Sequence, residues 1–259
     1  MTATATLNGV PQPGVTVNFS VLVGPHAGAS GAGVTIANGT ATWFYPGTVA
    51  GIDTIQATAT IATVAQTSNL AYKTWNWTAR GLKQHVVAEL TALLPTFDKN
   101  YDKWLEQSIA FVQESLTPAW WADDGHLTLR GWYVFDRENK AIADRLEKML
   151  KNPSLDAGQR LVVQGAVDDL VAADEALALT ALAEAIAGAG PDKKAQKEVV
   201  EAGKDYNKGL AIVAAGGDAK KVRKAISNFQ DSWVHSQKAL GRKPKVPSGS
   251  SGGGGCPCF

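Results

Sequence analysis

Apolar and polar residues alternate at several places within the first eighty residues. From Val15 to Val21 every second residue is apolar and the residues between are polar, a period of two that is typical of a half-buried strand. Asn-Gly and Pro-Gly pairs separate such stretches and signal turns. Similar patterns predict three further strands, at 3–7, 41–45 and 55–61. Short strands at this spacing predict an antiparallel β-sandwich over residues 1–76.

The pattern changes beyond residue 80, where apolar residues recur every three or four positions. Leu82, Val86 and Leu90 form one such stripe, and Leu105, Ile109 and Val112 belong to a second, as expected for amphipathic helices. Asp98 is the predicted N-cap of the second helix. The stripes predict helices at 82–94, 98–116, 134–150, 156–187, 192–215 and 218–240. Five or six helices with short connections indicate an all-α helical bundle over residues 77–243.

Charge is distributed unevenly between these two regions. Residues 1–78 hold only Asp53 and Lys73 as charged side chains, and their commonest residues are threonine, alanine, glycine and valine. Such a composition suits strands whose outer faces rely on hydroxyl groups for solubility. The whole chain has a net charge of +1, which gives no electrostatic footprint for nucleic acid. The chain also lacks an apolar run long enough for membrane insertion.

Three motifs in the β region occur in a recognisable order: LNGVPQPGVTVNFSV, then ANGTATWFY, then AGIDTIQATA. In this order they resemble a bacterial immunoglobulin-like domain of the invasin and intimin type, and the resemblance covers residues 1–74. It implies an immunoglobulin-like sandwich that acts as a spacer or adhesive module on a bacterial surface or secreted protein, with no catalytic residues to transfer. The helical region more weakly resembles segments that follow such repeats in large secreted bacterial proteins.

The start of the chain carries no leader, because Met1 is followed at once by a strand-like pattern. Two explanations are open: the protein is cytoplasmic, or the chain is a fragment that begins inside a longer tandem array. The immunoglobulin-like resemblance favours the second explanation. We therefore expect an extracellular or cell-surface location.

The loop at 118–133 is the most distinctive stretch. Trp120, Trp121 and Trp132 lie there with Asp123 and Asp124. Their rings can stack on sugars while the acids bind hydroxyl groups, which predicts a carbohydrate site. Alternatively, the tryptophans anchor an interhelix loop to the bundle. A third hypothesis makes Asp123 or Asp124 an acid–base group of an enzyme.

Metal-binding patterns are weak in this sequence. Asp123, Asp124 and His126 are close together but lack the alternating oxygen ligands of a calcium loop. His85 and His235 fall on separate predicted helices, so no zinc spacing appears. We predict no metal, no cofactor and no catalytic residue.

Other conspicuous residues have simple structural interpretations. The acidic pairs 168–169 and 174–175 are spaced like charges on a solvated helix face. The glycine-rich stretch 28–33 reads as a flexible connection between strands rather than a phosphate loop. Trp75 and Trp77 flank the domain boundary, where interdomain packing is favoured over a ligand platform.

The end of the chain, residues 244–259, is predicted to be a flexible Gly/Ser-rich tail that finishes Cys-Pro-Cys-Phe. Cys256 and Cys258 lie outside any core, and a bond between them would close a small strained ring. Covalent attachment, an intermolecular disulfide or weak metal capture are the roles left open, and so is an incidental or engineered tail.

These patterns together predict a non-enzymatic extracellular structural or adhesive module, the terminal part of a longer surface or matrix protein. Its expected partners are other protein chains of the surface or matrix, including further copies of itself. Strand addition at the sandwich edge is one expected route. The alternative is a carbohydrate-binding module that uses the Trp120, Trp121 and Trp132 loop.

Overall fold

A computed structural model describes residues 1–47, 49–95, 98–216 and 219–247. The chain divides into two compact units, Met1–Trp77 and Thr78–Phe259. The first unit contains small antiparallel sheets and the second contains helices, so the fold is mixed α and β. Cys256 and Cys258 lie outside the described residues, and so does Asp218, at which the last predicted helix begins.

In the described part of the first unit, the chain forms nine strands. They are β1 Thr2–Thr4, β2 Thr6–Leu7, β3 Val10–Pro11, β4 Thr16–Val23, β5 Ser30–Val34, β6 Thr40–Thr42, β7 Gly51–Ile61, β8 Val64–Thr67 and β9 Ala71–Trp75. The stretch predicted as one strand at 3–7 is divided between β1 and β2, because β1 pairs with β6 whereas β2 pairs with β3.

The longest strand, β7, organises the main sheet. One edge of β7 pairs antiparallel with β4, which in turn pairs with β5. The other edge is shared, since β9 pairs with the start of β7 and β8 with its end. Two further two-stranded sheets, β1–β6 and β2–β3, complete the unit.

A small apolar core lies on the inner face of this sheet. Val17 and Phe19 of β4 are buried there with Ala41 of β6 and Ala57 of β7. The Trp43 ring stacks on Phe19 with 5.8 Å between ring centroids. The alternation of apolar residues along β4 therefore produces its burial pattern, as the sequence predicts.

The glycine-rich stretch 28–33 is not a flexible connection, and this prediction is wrong. Its second half belongs to β5, which pairs along its length with β4. A Cβ at Gly31 would lie 2.1 Å from Nε1 of Trp43, so only glycine lets the indole approach the strand this closely.

Helices form the second unit. They are α1 Ala79–Ala92, α2 Lys99–Ser115, α3 Trp132–Ala141, α4 Glu147–Lys151, α5 Ala157–Gly188, α6 Lys193–Ala215 and α7 Ala219–Ala239. The predicted helix at 134–150 is interrupted by the π-helical turn Ile142–Leu146, which separates α3 from α4. None of the helices in the described part of the chain is long and apolar enough to cross a membrane.

Side-chain caps fix where several of these helices begin. Asp98 accepts a hydrogen bond from Asn100 N, which confirms its prediction as an N-cap. Thr78, Asp156 and Asp192 cap α1, α5 and α6 in the same way. Each cap satisfies amide groups that have no partner within the helix.

The 32-residue helix α5 lies at the centre of the bundle and packs against α1, α6 and α7. Because it has neighbours on several sides, its alanine-rich surface is buried over a wide arc. Its fully buried residues include Val163, Ala166, Leu170, Ala173 and Ala178.

The hairpin of α6 and α7 packs closely at one glycine. A Cβ at Gly209 would lie 2.4 Å from Cε1 of Phe229, so the ring occupies the space above that residue.

Residues 244–247 differ from the prediction that a flexible tail begins at 244. Lys245 N donates to Leu129 O at 2.7 Å, and Val246 packs against the core of the bundle. These contacts hold this segment on the bundle.

Candidate functional site

The distinctive loop connects α2 to α3 and contains a tight β-like turn. Trp121 and Leu127 form an isolated antiparallel bridge, and Ala122 N donates to His126 O at 2.8 Å. At the tip, Gly125 N donates to Asp123 Oδ1 at 2.8 Å. The turn thereby holds the side chains of Asp123 and His126 side by side.

A pocket of about 290 Å³ opens between this turn and the bundle. The loop contributes Asp123 and His126, and the wall opposite is built from α5, α7 and the segment that follows α7. The polar lining residues on that wall are Thr180, Glu184, Gln237 and Arg242. A concave space with convergent polar groups is the usual form of a small-molecule site, which makes this pocket the candidate functional site.

Charges of both signs alternate around this pocket. His126 Nδ1 lies 2.7 Å from Asp123 Oδ1, and His126 Nε2 lies 3.3 Å from Glu184 Oε1. Arg242 Nη1 lies 3.6 Å from Glu184 Oε2. The hydrogen bond from Gly125 N, followed by that from His126, lowers the pKa of Asp123 below its usual range. The site therefore offers acceptors and donors to a polar ligand.

The structure corrects the predicted tryptophan platform at Trp121. That ring is only 5% exposed, and its indole N–H donates to Ser115 O at 2.8 Å. Trp120 stacks on Tyr133 with 5.4 Å between centroids, and Trp132 meets the same tyrosine edge-on. Both are half-buried against the bundle, and neither belongs to the residues that line the pocket. The tryptophans thus anchor the loop, which was the alternative reading.

The two acidic residues of the loop have different surroundings. Asp123 lines the pocket, whereas Asp124 is exposed and its carboxylate lies 3.5 Å from the Arg80 guanidinium. Arg80 N also donates to the Asp124 carbonyl oxygen. The hypothesis of an acid–base group in this loop therefore concerns Asp123 and not Asp124, which does not line the pocket.

Three charged residues meet inside the bundle, and two of them, Lys83 and Glu138, were not predicted as site residues. Lys83 Nζ lies 2.6 Å from Glu138 Oε1 and 2.8 Å from Asp174 Oδ1, and all three side chains are fully buried. Asp174 had been assigned to a solvated helix face, and this prediction is wrong. Its helix turns that face toward α1 and α3, where Lys83 and Glu138 supply the partners that a buried charge requires.

A signal for this triad was present in the sequence. Lys83 interrupts the apolar stripe that runs through Ala79, Val86 and Leu90 at helical spacing. Glu138 occupies the equivalent position in the stripe of α3. A charged residue in the middle of an apolar stripe predicts a buried ion pair when two helices carry opposite charges.

The titration behaviour of the triad follows from burial. Desolvation raises the pKa of Glu138 well above its usual range, and the Asp174 charge and hydrogen bond raise it further. Desolvation alone would lower the pKa of Lys83, but the charges of Asp174 and Glu138 outweigh it and raise that pKa. Of the two carboxyl groups of the triad, Glu138 therefore holds a proton more readily than Asp174.

A second buried carboxylate organises the β unit. Asp53 is fully buried and accepts hydrogen bonds from His26 N, His26 Nδ1, Tyr45 Oη and Trp75 Nε1, at 2.7–3.0 Å. Burial by itself raises the pKa of Asp53, but these hydrogen bonds prevail and lower it. The Trp75 indole thus has a definite partner within its own unit. Through these hydrogen bonds, Asp53 connects the segment after β4, the segment after β6 and the last residue of β9.

Comparison with known proteins adds no family to this description, because the chain matches no protein-family description, no curated protein and no solved structure. What the fold and the site define is a class: a two-unit α and β protein with a polar pocket in its helical unit.

Proposed function

We propose that this protein is a non-enzymatic extracellular module of a bacterial surface or matrix, whose β unit is an immunoglobulin-like sandwich and which acts through protein–protein contacts. The observation that carries the proposal is the outer edge of β5. Within the described residues β5 pairs with β4 alone, and its other edge offers backbone groups to a strand of another chain.

The register identifies those groups. Val21 N donates to Ala29 O and Thr35 N donates to Val15 O at the two ends of the β4–β5 pair. Because hydrogen-bonded and non-hydrogen-bonded pairs alternate in an antiparallel ladder, the backbone groups of Ser30, Ala32 and Val34 point away from β4. Ala32 lies at the middle of this edge and is exposed.

The composition of the edge supports the same proposal. Strands at a sheet edge are usually protected by a charged side chain, a proline or a bulge. The strand Ser-Gly-Ala-Gly-Val contains neither a charge nor a proline, and its register with β4 is regular over all five residues. No charged side chain of β5 therefore opposes edge-to-edge pairing between two copies of the chain.

Sedimentation velocity across a wide concentration range tests the proposal. We expect reversible assembly that Ala32→Pro abolishes, since proline removes the central outward N–H without breaking a bond to β4. Ala32→Thr keeps the N–H and is the matched control, which we expect to assemble like the parent chain. Measurements with and without reductant separate this assembly from disulfides of Cys256 and Cys258. A concentration-independent monomer that also fails to bind any surface or matrix protein would overturn the proposal.

A second candidate function is carbohydrate binding, and the pocket beside Asp123 favours it. Alternating donors and acceptors around about 290 Å³ suit the hydroxyl groups of a sugar. A glycan array with the parent chain, His126→Gln and Trp120→Ala distinguishes the two parts of the loop. Loss of signal in His126→Gln alone assigns binding to the pocket, loss in Trp120→Ala alone assigns it to the tryptophan face, and the absence of any signal removes this candidate.

A further inference from the structure

Three side chains with metal-ligating atoms converge where α1 packs against α5. His85 and Glu89 lie one turn apart on α1, and Asp169 comes from α5. One ligating atom from each residue lies within 4.8 Å of the other two. Spacing along the chain shows no zinc motif here, since one of the carboxylates comes from a neighbouring helix.

The spacing within α1 already fits a metal ion. His85 Nε2 lies 3.3 Å from Glu89 Oε1. Zinc bonds to imidazole nitrogen and carboxylate oxygen at about 2.0–2.2 Å, so two ligands of a tetrahedral ion are about 3.4 Å apart.

The surroundings favour a site over a simple ion pair. A close contact joins His85 to Glu89, and one ligating atom of the Asp169 carboxylate lies within 4.8 Å of theirs. A divalent cation among the three residues would relieve the repulsion between the two carboxylates. The helices that carry the three residues are held together by a buried core that includes Val86 and Leu90, so their relative positions are fixed before a metal binds.

The ligand set also indicates the class of metal. Calcium prefers six to eight oxygen ligands, whereas one imidazole with two carboxylates suits zinc and its first-row neighbours. His85 and Glu89 are each about one-third exposed, which leaves the remaining coordination positions to water. We propose that His85, Glu89 and Asp169 bind one divalent first-row transition ion, such as Zn²⁺, on the surface of the helical bundle.

The test uses the full chain with Cys256→Ser and Cys258→Ser, so that thiolates of the tail do not contribute. The metal-free protein is titrated with Co²⁺, whose visible absorption reports ligand number, and with Zn²⁺ by calorimetry. We expect one equivalent to bind. His85→Gln and Asp169→Asn should each weaken binding at least about tenfold, because even outer-shell partners of a metal contribute 10–100-fold.

His126→Gln is the matched control, since it removes another histidine that lies beside two carboxylates. We expect it to leave Co²⁺ and Zn²⁺ binding unchanged. Circular dichroism of each metal-free variant establishes that its helices remain. Three results would overturn the proposal. They are the absence of a bound equivalent, binding that neither His85→Gln nor Asp169→Asn weakens, and binding that is lost only in His126→Gln.

Discussion

Lys83 Nζ lies 2.8 Å from Asp174 Oδ1, and neither side chain is exposed to solvent. Lys83 belongs to α1 and Asp174 to α5, so this single ion pair joins helices 91 residues apart in the chain. Removing two charges from water costs several kcal/mol per ion, and only close pairing with further hydrogen bonds offsets that cost. Glu138 supplies the second acceptor. The triad therefore favours one alignment of α1, α3 and α5 along one another. Apolar side chains at the same positions would also be compatible with shifted alignments.

Removal of the lysine alone should destabilise the bundle. We expect Lys83→Met to lower its free energy of unfolding by about 3–5 kcal/mol, because Asp174 is left buried without its cation. The triple variant Lys83→Met, Glu138→Met and Asp174→Leu should recover most of this loss. Urea unfolding followed by helical circular dichroism measures both. Equal stability of Lys83→Met and the parent chain would contradict the buried pairing.

Stability of the bundle should fall as the pH rises above the ordinary pKa of a glutamate. Burial beside Asp174 raises the pKa of Glu138 in the folded state, so the folded protein keeps a proton that the unfolded chain releases. The contribution of Glu138 is complete below the unfolded pKa and is lost as the pH rises through the folded pKa.

Urea unfolding of the parent chain and Glu138→Gln across that pH range checks this prediction. The variant should show a flatter pH dependence, because its amide does not titrate. Glu106→Gln, at an exposed position of α2, is the control and should follow the parent chain. A slope unchanged by Glu138→Gln would count against the raised pKa.

The β unit should lose stability in acid for the opposite reason. Hydrogen bonds from His26, Tyr45 and Trp75 lower the pKa of Asp53, so its contribution is present above the unfolded pKa of aspartate. That contribution is lost as the pH falls through the lower folded pKa. Amide NMR signals of β7 during acid titration report this transition. Asp53→Asn should be less stable at neutral pH and should show less change in acid, whereas a parallel acid response of variant and parent would refute the assignment.

A glycine-to-alanine pair on α6 tests the packing of the helical hairpin. Alanine favours a helix over glycine by about 1 kcal/mol, and Gly203 has open space above it, so Gly203→Ala should stabilise the bundle. Gly209→Ala has the same propensity gain, but its Cβ would collide with the Phe229 ring. We expect a net loss of about 1–3 kcal/mol from the displaced ring. Thermal unfolding of both variants measures these effects. Stabilisation by Gly209→Ala would contradict the close approach of the Phe229 ring to residue 209.

Local pattern predicted the helical segments well because the helices carry apolar stripes of their own and α1, α2, α5 and α6 begin at their own side-chain caps. The six predicted segments correspond to α1, α2, the interrupted α3–α4 segment, α5, α6 and α7. The interruption at Ile142–Leu146 was not predicted, since an added backbone residue in a turn leaves no clear mark on the spacing of apolar residues.

Strand pairing was predictable only where alternation was strong. The patterns around Val17 and Ile55 lie in the long strands β4 and β7, whose inner residues are buried. Strand β5 escaped prediction because its glycines and small residues carry no alternation, and its strand conformation depends on pairing with β4 and on the approach of Trp43.

By itself, the sequence determined the division into a strand-rich and a helical part, the approximate positions of the helical segments and the unusual composition of the loop at 118–133. These features depend on interactions between residues that are near neighbours in the chain. Only the tertiary structure decided that Trp121 is buried, that Asp123 faces Glu184 across a pocket, and that Lys83 meets Asp174. Burial and charge pairing depend on which helix faces are brought together, and residues far apart in sequence supply the partners.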